Sequence, residues 1–469
     1  MSAGAETETE GRRSSFWADL KAVLGGRDFR KLFATRLVSQ AGDGILTAAV
    51  GTYVFFNAST FPTPGAGAAA FTVLYLPYSL VGPFAGVLID RWSRRQILVW
   101  SAPIRGALVV VTAGLMAADI RSVPLYVAVL CVSGVSRFLQ ASLSVALPHV
   151  TPPHKLVVAN AVSDTLGGMM SALGGIVALG INAATGDTER GAAVTMLVGG
   201  GCYVASSLVA TVMPKDLLGP GDVHRGTGRL ASDLAEVWAG LVTGTRYVLM
   251  RRGPRAALGA TSAYSFLFGP LFLMSILLYR NYFYPAHVTV AEGHVGTLAV
   301  FSAVGYVCAA LVTPPATRHL SKEAWITLML IAAAIVTAVI GETFNAVAYL
   351  AIGFFMYLTR QSVAISAVTI LQEGIEDGFR GRVFAFYDMV YNAAYAIGAA
   401  VFALLMPSNG KSTLVVGVIA LCYLLAAAAY WLSARPSSPA AAPPSAPSSE
   451  AGSPEVGASP SAVAHRSSS

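Results

Sequence analysis

The sequence predicts an all-α integral membrane protein of about twelve transmembrane helices in two six-helix halves, and three observations carry that prediction. Charge is scarce: 12% of the 469 residues are Asp, Glu, Lys or Arg, about half of what a soluble domain carries. Apolar residues make up 55% of the chain and its mean hydropathy is +0.63, values of a chain kept where charge is expensive. Apolar runs of spanning length recur from end to end, and Lys and Arg gather in alternate loops between them.

A spanning helix needs about 20 mostly apolar residues. Such runs lie near 32–56, 71–89, 97–117, 124–146, 158–183 and 192–213, then near 256–279, 295–314, 324–341, 346–370, 384–406 and 413–433. They divide the chain into a first half over 29–213 and a second over 256–434. Residues 1–28 are expected as a cytoplasmic N-terminal segment, of which Met1 to Ser15 are polar and lack the apolar core of a signal peptide. The linker 214–255 opens with a polar, Gly-rich stretch. It continues with an apolar stripe of Leu230, Leu234, Val237, Leu241 and Val248, with Asp233, Glu236, Arg246 and Arg251 off it. That pattern predicts an amphipathic helix on the membrane surface; a solvated linker is the alternative. Residues 435–469 are rich in Pro, Ala and Ser, the composition of a disordered tail. Many of the 46 glycines fall inside apolar runs, where small residues let helices approach closely. Cys131, Cys202, Cys308 and Cys422 also lie within such runs and are expected as buried small hydrophobes, without disulfides.

With the N-terminus in the cytoplasm, the loop Lys and Arg residues divide 23 to 4, the four being Arg121, Arg190, Arg280 and Lys411. The asymmetry predicts an even number of spans with both termini cytoplasmic, in the plasma (cell inner) membrane. It also accounts for the net charge of +7 without nucleic acid as a partner.

Seven ionisable residues lie inside predicted spans: Arg36, Asp43, Arg105, Arg137, Asp164, Arg360 and Asp388. Each costs about 2.5–3.5 kcal/mol at the bilayer centre, so they should face a wet cavity or one another. Arg36, Gln40 and Asp43 are spaced four and three apart, which puts them on one helix face. At 1.5 Å per residue, Asp43 lies about 16 Å in from Leu32 and Arg137 about 20 Å in from Pro124. Both are near the midplane, so an Asp43–Arg137 contact is expected. Two readings of it stand: Asp43 exchanges a proton or meets a polar substrate, or the pair, with Arg137 or Arg36, fixes helix packing. Arg105, Asp164, Arg360 and Asp388 fall in the inner part of their spans. They read as a cytoplasmic gate network with Asp90 and Arg94, or as snorkelling side chains. Arg360, the deepest, could instead meet an anionic substrate. Tyr264, Phe268 and Phe272 form one four-spaced aromatic stripe, and Tyr387, Tyr391 and Tyr395 another. Such stripes suit an amphipathic organic substrate or plain core packing.

The strongest local signal is Gly86-Val-Leu-Ile-Asp90-Arg91-Trp-Ser-Arg94-Arg95, between the second and third spans. Gly86 permits close helix contact, Asp90 can cap a neighbouring helix N-terminus, and the three arginines can pair with carboxylates of the other half. At these residues the chain resembles the major facilitator superfamily, whose signature there is G-x-x-x-D-R-x-x-R-R. Arg137 and Gln140, as R-x-x-Q, are similar to a second motif of that superfamily. Ser39, Gly42 and Asp43, as S-x-x-G-D, together with Pro148, Ala159-Asn160 and Arg380-Gly381-Arg382-Val383, resemble its macrolide-efflux and enterobactin-exporter branch. The exporter element G-P-x-x-G-G is not carried: Gly174-Gly175 is followed by Ile176 to Gly180 without the proline. The resemblance implies two six-helix halves around a central cavity open alternately to either side.

Other signals are weak. Asn409-Gly410-Lys411-Ser412 lacks the upstream glycine of a phosphate-binding loop. Asn57-Ala58-Ser59 is a bare sequon, and His149 and His154 have no third metal ligand nearby. The expected function is therefore a secondary active transporter, not an enzyme, without cofactor or metal. It exports a small amphipathic organic molecule (drug, antibiotic or siderophore) by alternating access coupled to protons. The expected partners are that substrate, protons and the lipid bilayer, with the protein a monomer. The alternatives are a proton-coupled nutrient importer on the same fold and a non-transporting membrane sensor or scaffold.

Overall fold

In lipid, a chain that crosses the membrane must satisfy its backbone polar groups internally, and apolar runs of this length do so as helices. The computed structural model describes residues 24–56, 62–80, 84, 94–120, 123–152, 156–185, 189–214, 217–218 and 230–434. Thirteen α-helices are found there: α1 (Arg27–Phe55), α2 (Pro64–Leu80), α3 (Arg94–Ala117), α4 (Val123–Ala146), α5 (Leu156–Thr185), α6 (Glu189–Thr211), α7 (Leu230–Met250), α8 (Arg252–Leu277), α9 (Val288–His319), α10 (Lys322–Gly341), α11 (Ala346–Gly374), α12 (Asp377–Ala403) and α13 (Thr413–Ala434). The described residues contain no strand. A π-helical turn, Leu278–Phe283, continues α8. Nine of the described helices are long and apolar enough to cross a membrane.

Every predicted span overlaps a helix, and α7 lies on the linker stripe. Three starts differ: α2, α9 and α12 each begin seven residues before the apolar run, α9 at Val288. The first two turns of α9 carry Glu292 and His294, which dilute the hydropathy there. Large apolar side chains stay exposed on the outside of the bundle, among them Leu208, Leu311, Leu404 and Leu432, as lipid-facing positions must. The cysteines are free, as expected, but not buried: Cys131 is exposed and the other three are half-buried.

Close-approach glycines repeat between the halves. A Cβ at Gly44 of α1 would collide with the Ser171 carbonyl of α5, and one at Gly174 of α5 with the Ala41 carbonyl of α1. In the second half, Gly269 of α8 meets the Tyr395 carbonyl of α12, and Gly398 of α12 meets the Phe266 carbonyl of α8. Small residues thus bring backbones together at equivalent helix pairs. α7 buries Leu241 and Val248 and lays Gly240 and Gly244 against Arg382 of α12. Its Trp238, Val242, Leu249 and Met250 remain exposed.

Candidate functional site

In the first half, α1, α3, α4 and α6 converge on a buried charge cluster. Arg105 of α3 is fully enclosed, with Nη1 3.5 Å from Oδ1 of Asp43. Its Nη1 donates to Ser39 and Ser136 Oγ at 3.1 Å, and its Nη2 to Ser39 Oγ at 3.0 Å. The Tyr203 ring of α6 lies 3.7 Å from the guanidinium carbon. Asp43 accepts from the Tyr203 hydroxyl at 2.9 Å and from Gln140 Nε2 at 3.0 Å. A buried ion pair persists only when geometry and further hydrogen bonds compensate both charges, and this cluster supplies them from four helices.

That arrangement corrects one expectation. Asp43 takes Arg105 of α3 as its cation, not Arg137. Arg105 is buried in the core of the first half. Arg36 and Gln40 are buried on the same helix, Gln40 against Gly167 of α5. Arg137 instead reaches Asp388 of α12 at 3.4 Å, an ion pair between the halves.

The signature loop is only partly in view. Gly86, Asp90 and Arg91 lie outside the described residues, as does the side chain of Asp164. Arg94 and Arg95 do not pair with carboxylates of the other half among the described residues. Arg95 donates to the Thr211 and Met213 carbonyls at 3.0 and 2.8 Å, and Arg94 to the Leu218 carbonyl at 3.1 Å, with His149 2.9 Å away. The end of α6 leaves unsatisfied carbonyls and partial negative charge, which cations stabilise.

In the second half, the aromatic stripes meet around Arg360 of α11. Its guanidinium carbon lies 4.7 Å from the Phe268 ring centre, 5.0 Å from Tyr391, 5.7 Å from Tyr357 and 5.9 Å from Tyr395. Tyr75 of α2 joins from the other half, its ring 4.4 Å from that of Tyr395, and Phe71 lies 5.8 Å from Phe272. Tyr75, Phe272, Tyr357, Tyr391 and Arg360 are all half-buried. Two stripe residues point elsewhere. Tyr264 is core: its hydroxyl donates to the Met356 carbonyl at 2.9 Å and its ring packs on Tyr423. Tyr387 packs with Val248, Leu258, Leu371, Ile375 and Val383. A stripe of three four-spaced residues covers about 12 Å of helix, more than one cavity level.

Sequence reasoning missed Tyr75, Tyr357, Tyr203 and Glu292. Phe71 and Tyr75 carry the same four-residue spacing as the stripes that were found, and Tyr357 sits one turn before Arg360. Glu292 is 4% exposed. It accepts from Thr52 of α1 at 2.9 Å and from Asn182 of α5 at 2.9 and 3.0 Å. It therefore joins the halves at the end of the bundle opposite the termini. Asn281 reinforces that end, donating to the Pro62 carbonyl at 2.9 Å.

The chain is similar to known proteins in sequence and in fold. Residues 1–148 match a family described as MFS/sugar transport protein. An uncharacterized MFS-type transporter of Mycobacterium bovis and another of Mycobacterium tuberculosis are each 33% identical over 397 residues, 84% of this chain and 88% of the relative. Among solved structures, a mutant of the peptide transporter POT superposes with a TM-score of 0.66 at 14% identity, covering 87% of this chain and 94% of that one. The nucleoside transporter NupG gives 0.62 at 13%, covering 86% and 98%. The xylose transporter XylE from E. coli, in a partially occluded inward open conformation, gives 0.58 at 13%, covering 86% and 96%. At such identities the superpositions speak for the fold. The homology, the fold and the apolar spans together identify the chain as a multi-pass membrane transporter, and it belongs to the major facilitator superfamily.

Proposed function

We propose that the protein is a proton-coupled secondary exporter of a small amphipathic organic molecule, working by alternating access. The observation that carries this reading is the aromatic site between the halves, with rings from α2, α8, α11 and α12 around Arg360. Substrate sites between the repeats of such transporters lie near the bilayer midplane. A sugar-sized polyol needs many polar partners. Phe71, Phe268, Phe272 and the tyrosines offer rings with few hydroxyls, a lining for a flat apolar body with a polar end. The resemblance of Ser39, Gly42 and Asp43 to the macrolide-efflux and enterobactin-exporter branch favours export over nutrient import.

Asp43 is the proposed proton-coupling residue. In the described conformation Tyr203, Gln140 and Arg105 all serve its ionised form. Rearrangement of these helices would part Asp43 from those donors, and an unpaired buried charge is costly. Arg137–Asp388 and the Glu292 contacts are proposed as links made and broken between the halves. The signature loop is proposed as the cytoplasmic gate, Arg94 and Arg95 fixing its end to α6. Both termini, the linker 214–255 and the tail 435–469 are assigned to the cytoplasm of the cell inner membrane, the halves spanning 29–213 and 256–434.

Deletion and overexpression strains, screened against a drug panel with and without a protonophore, test the reading. Overexpression should raise resistance to at least one amphipathic compound, and the protonophore should erase the gain. Resistance unaffected by the protonophore contradicts proton coupling, and accumulation of a nutrient on overexpression contradicts export.

A further inference from the structure

Arg360 differs from the other described arginines inside the bundle. Arg105 has Asp43, Arg137 has Asp388, and Arg280 donates to the Pro285 carbonyl. Four aromatic rings pack around Arg360, and among the described residues no carboxylate pairs with it. Its Nε is buried without an acceptor, as are those of Arg36, Arg105, Arg137 and Arg280, so the difference from Arg105 and Arg137 lies in the missing carboxylate. Cation–π contacts attract a guanidinium but give its N–H donors no oxygen to meet. A cation held at membrane depth without an anion is expensive and persists where function uses it. The guanidinium is also half-buried and stands beside the half-buried rings of Tyr357 and Tyr391, so a ligand can touch both at once.

We propose that the substrate is an aromatic anion, of the aryl carboxylate class, with its carboxylate on Arg360 and its ring among the half-buried Phe272, Tyr357, Tyr391 and Tyr75. This rests on the transport reading above and names its substrate class. A planar guanidinium presents parallel N–H donors that match the two oxygens of a carboxylate. The rings supply offset or edge-on stacking to the aromatic body. Charge also bears on direction: the membrane potential, negative inside, drives an anion out and opposes its entry.

The test uses purified full-length protein and three probes on one scaffold: 1-naphthoate, its methyl ester and 1-naphthylmethylammonium. Binding is followed by quenching of intrinsic fluorescence. Naphthoate should bind about tenfold or more tighter than the ester and the amine. Arg360→Gln should remove that preference, and Arg360→Lys should keep part of it. Equal or tighter binding of the ester or amine to the unaltered protein overturns the proposal, as does absence of naphthoate binding. A preference that survives in Arg360→Gln overturns it too. Because the probe comparison needs no variant, misfolding of one cannot obscure the result. Proteoliposome flux of a neutral or cationic compound would leave transport standing while the anion assignment falls.

Discussion

Two arginines of the described bundle, Arg105 buried and Arg360 half-buried, face aromatic rings, one in each half, and they are held in opposite ways. Arg105 stacks on Tyr203, touches Asp43 and gives its N–H groups to Ser39 and Ser136. Arg360 stacks among Phe268, Tyr391, Tyr357 and Tyr395 and meets no acidic partner among the described residues. The first charge is compensated by the fold itself. The second is the charge proposed to take a ligand anion. The helix frame beneath them is the same, with glycines closing α1 on α5 and α8 on α12. The lesson is that a repeated scaffold can hold one charge for coupling and leave its counterpart for a ligand.

The contrast can be broken by substitution. Arg105→Ala leaves Asp43 buried without its cation, and breaking a buried pair costs about 3–5 kcal/mol. Thermal unfolding in detergent should show a large drop, partly restored by adding Asp43→Asn. Arg360→Met removes a charge that has no acidic partner, so its melting temperature should equal or exceed that of the unaltered protein. Equal destabilisation by both substitutions would end the comparison. The smallest effect is expected at Asp388→Asn. Its side chain is 49% exposed, and ion pairs that wet contribute about 0–1 kcal/mol. Melting should barely change, while cysteine-accessibility labelling across the bundle should report a shifted balance between the two openings.

The sequence made the helices legible because the bilayer demands continuous apolar runs, and twelve such runs became helices. It missed the start of α9, where Glu292 lowers the hydropathy. Thr52 and Asn182, 240 and 110 residues away, reach that carboxyl and help the fold to tolerate it there. Depth along a helix was likewise legible, which brought Asp43 and Arg137 to notice together. Azimuth was not. Which arginine faces Asp43 depends on how α1, α3 and α4 rotate against one another, and small-residue packing sets that rotation. The same limit explains the stripes: Phe268, Tyr391 and Tyr395 reach Arg360, whereas Tyr264 and Tyr387 turn into the core at other levels. The exporter resemblance likewise rested on local motifs. The superposed peptide, nucleoside and xylose transporters share the frame and leave direction to the site chemistry.

Proton coupling through Asp43 is the central claim, and flux into proteoliposomes tests it most directly. The unaltered protein and Asp43→Asn would be reconstituted at equal amounts, and movement of an amphipathic substrate followed with and without an imposed proton gradient. The account predicts that the unaltered protein moves substrate uphill when the gradient is present. It predicts that Asp43→Asn loses uphill movement and keeps downhill exchange. Uphill transport by Asp43→Asn at the rate of the unaltered protein would contradict it.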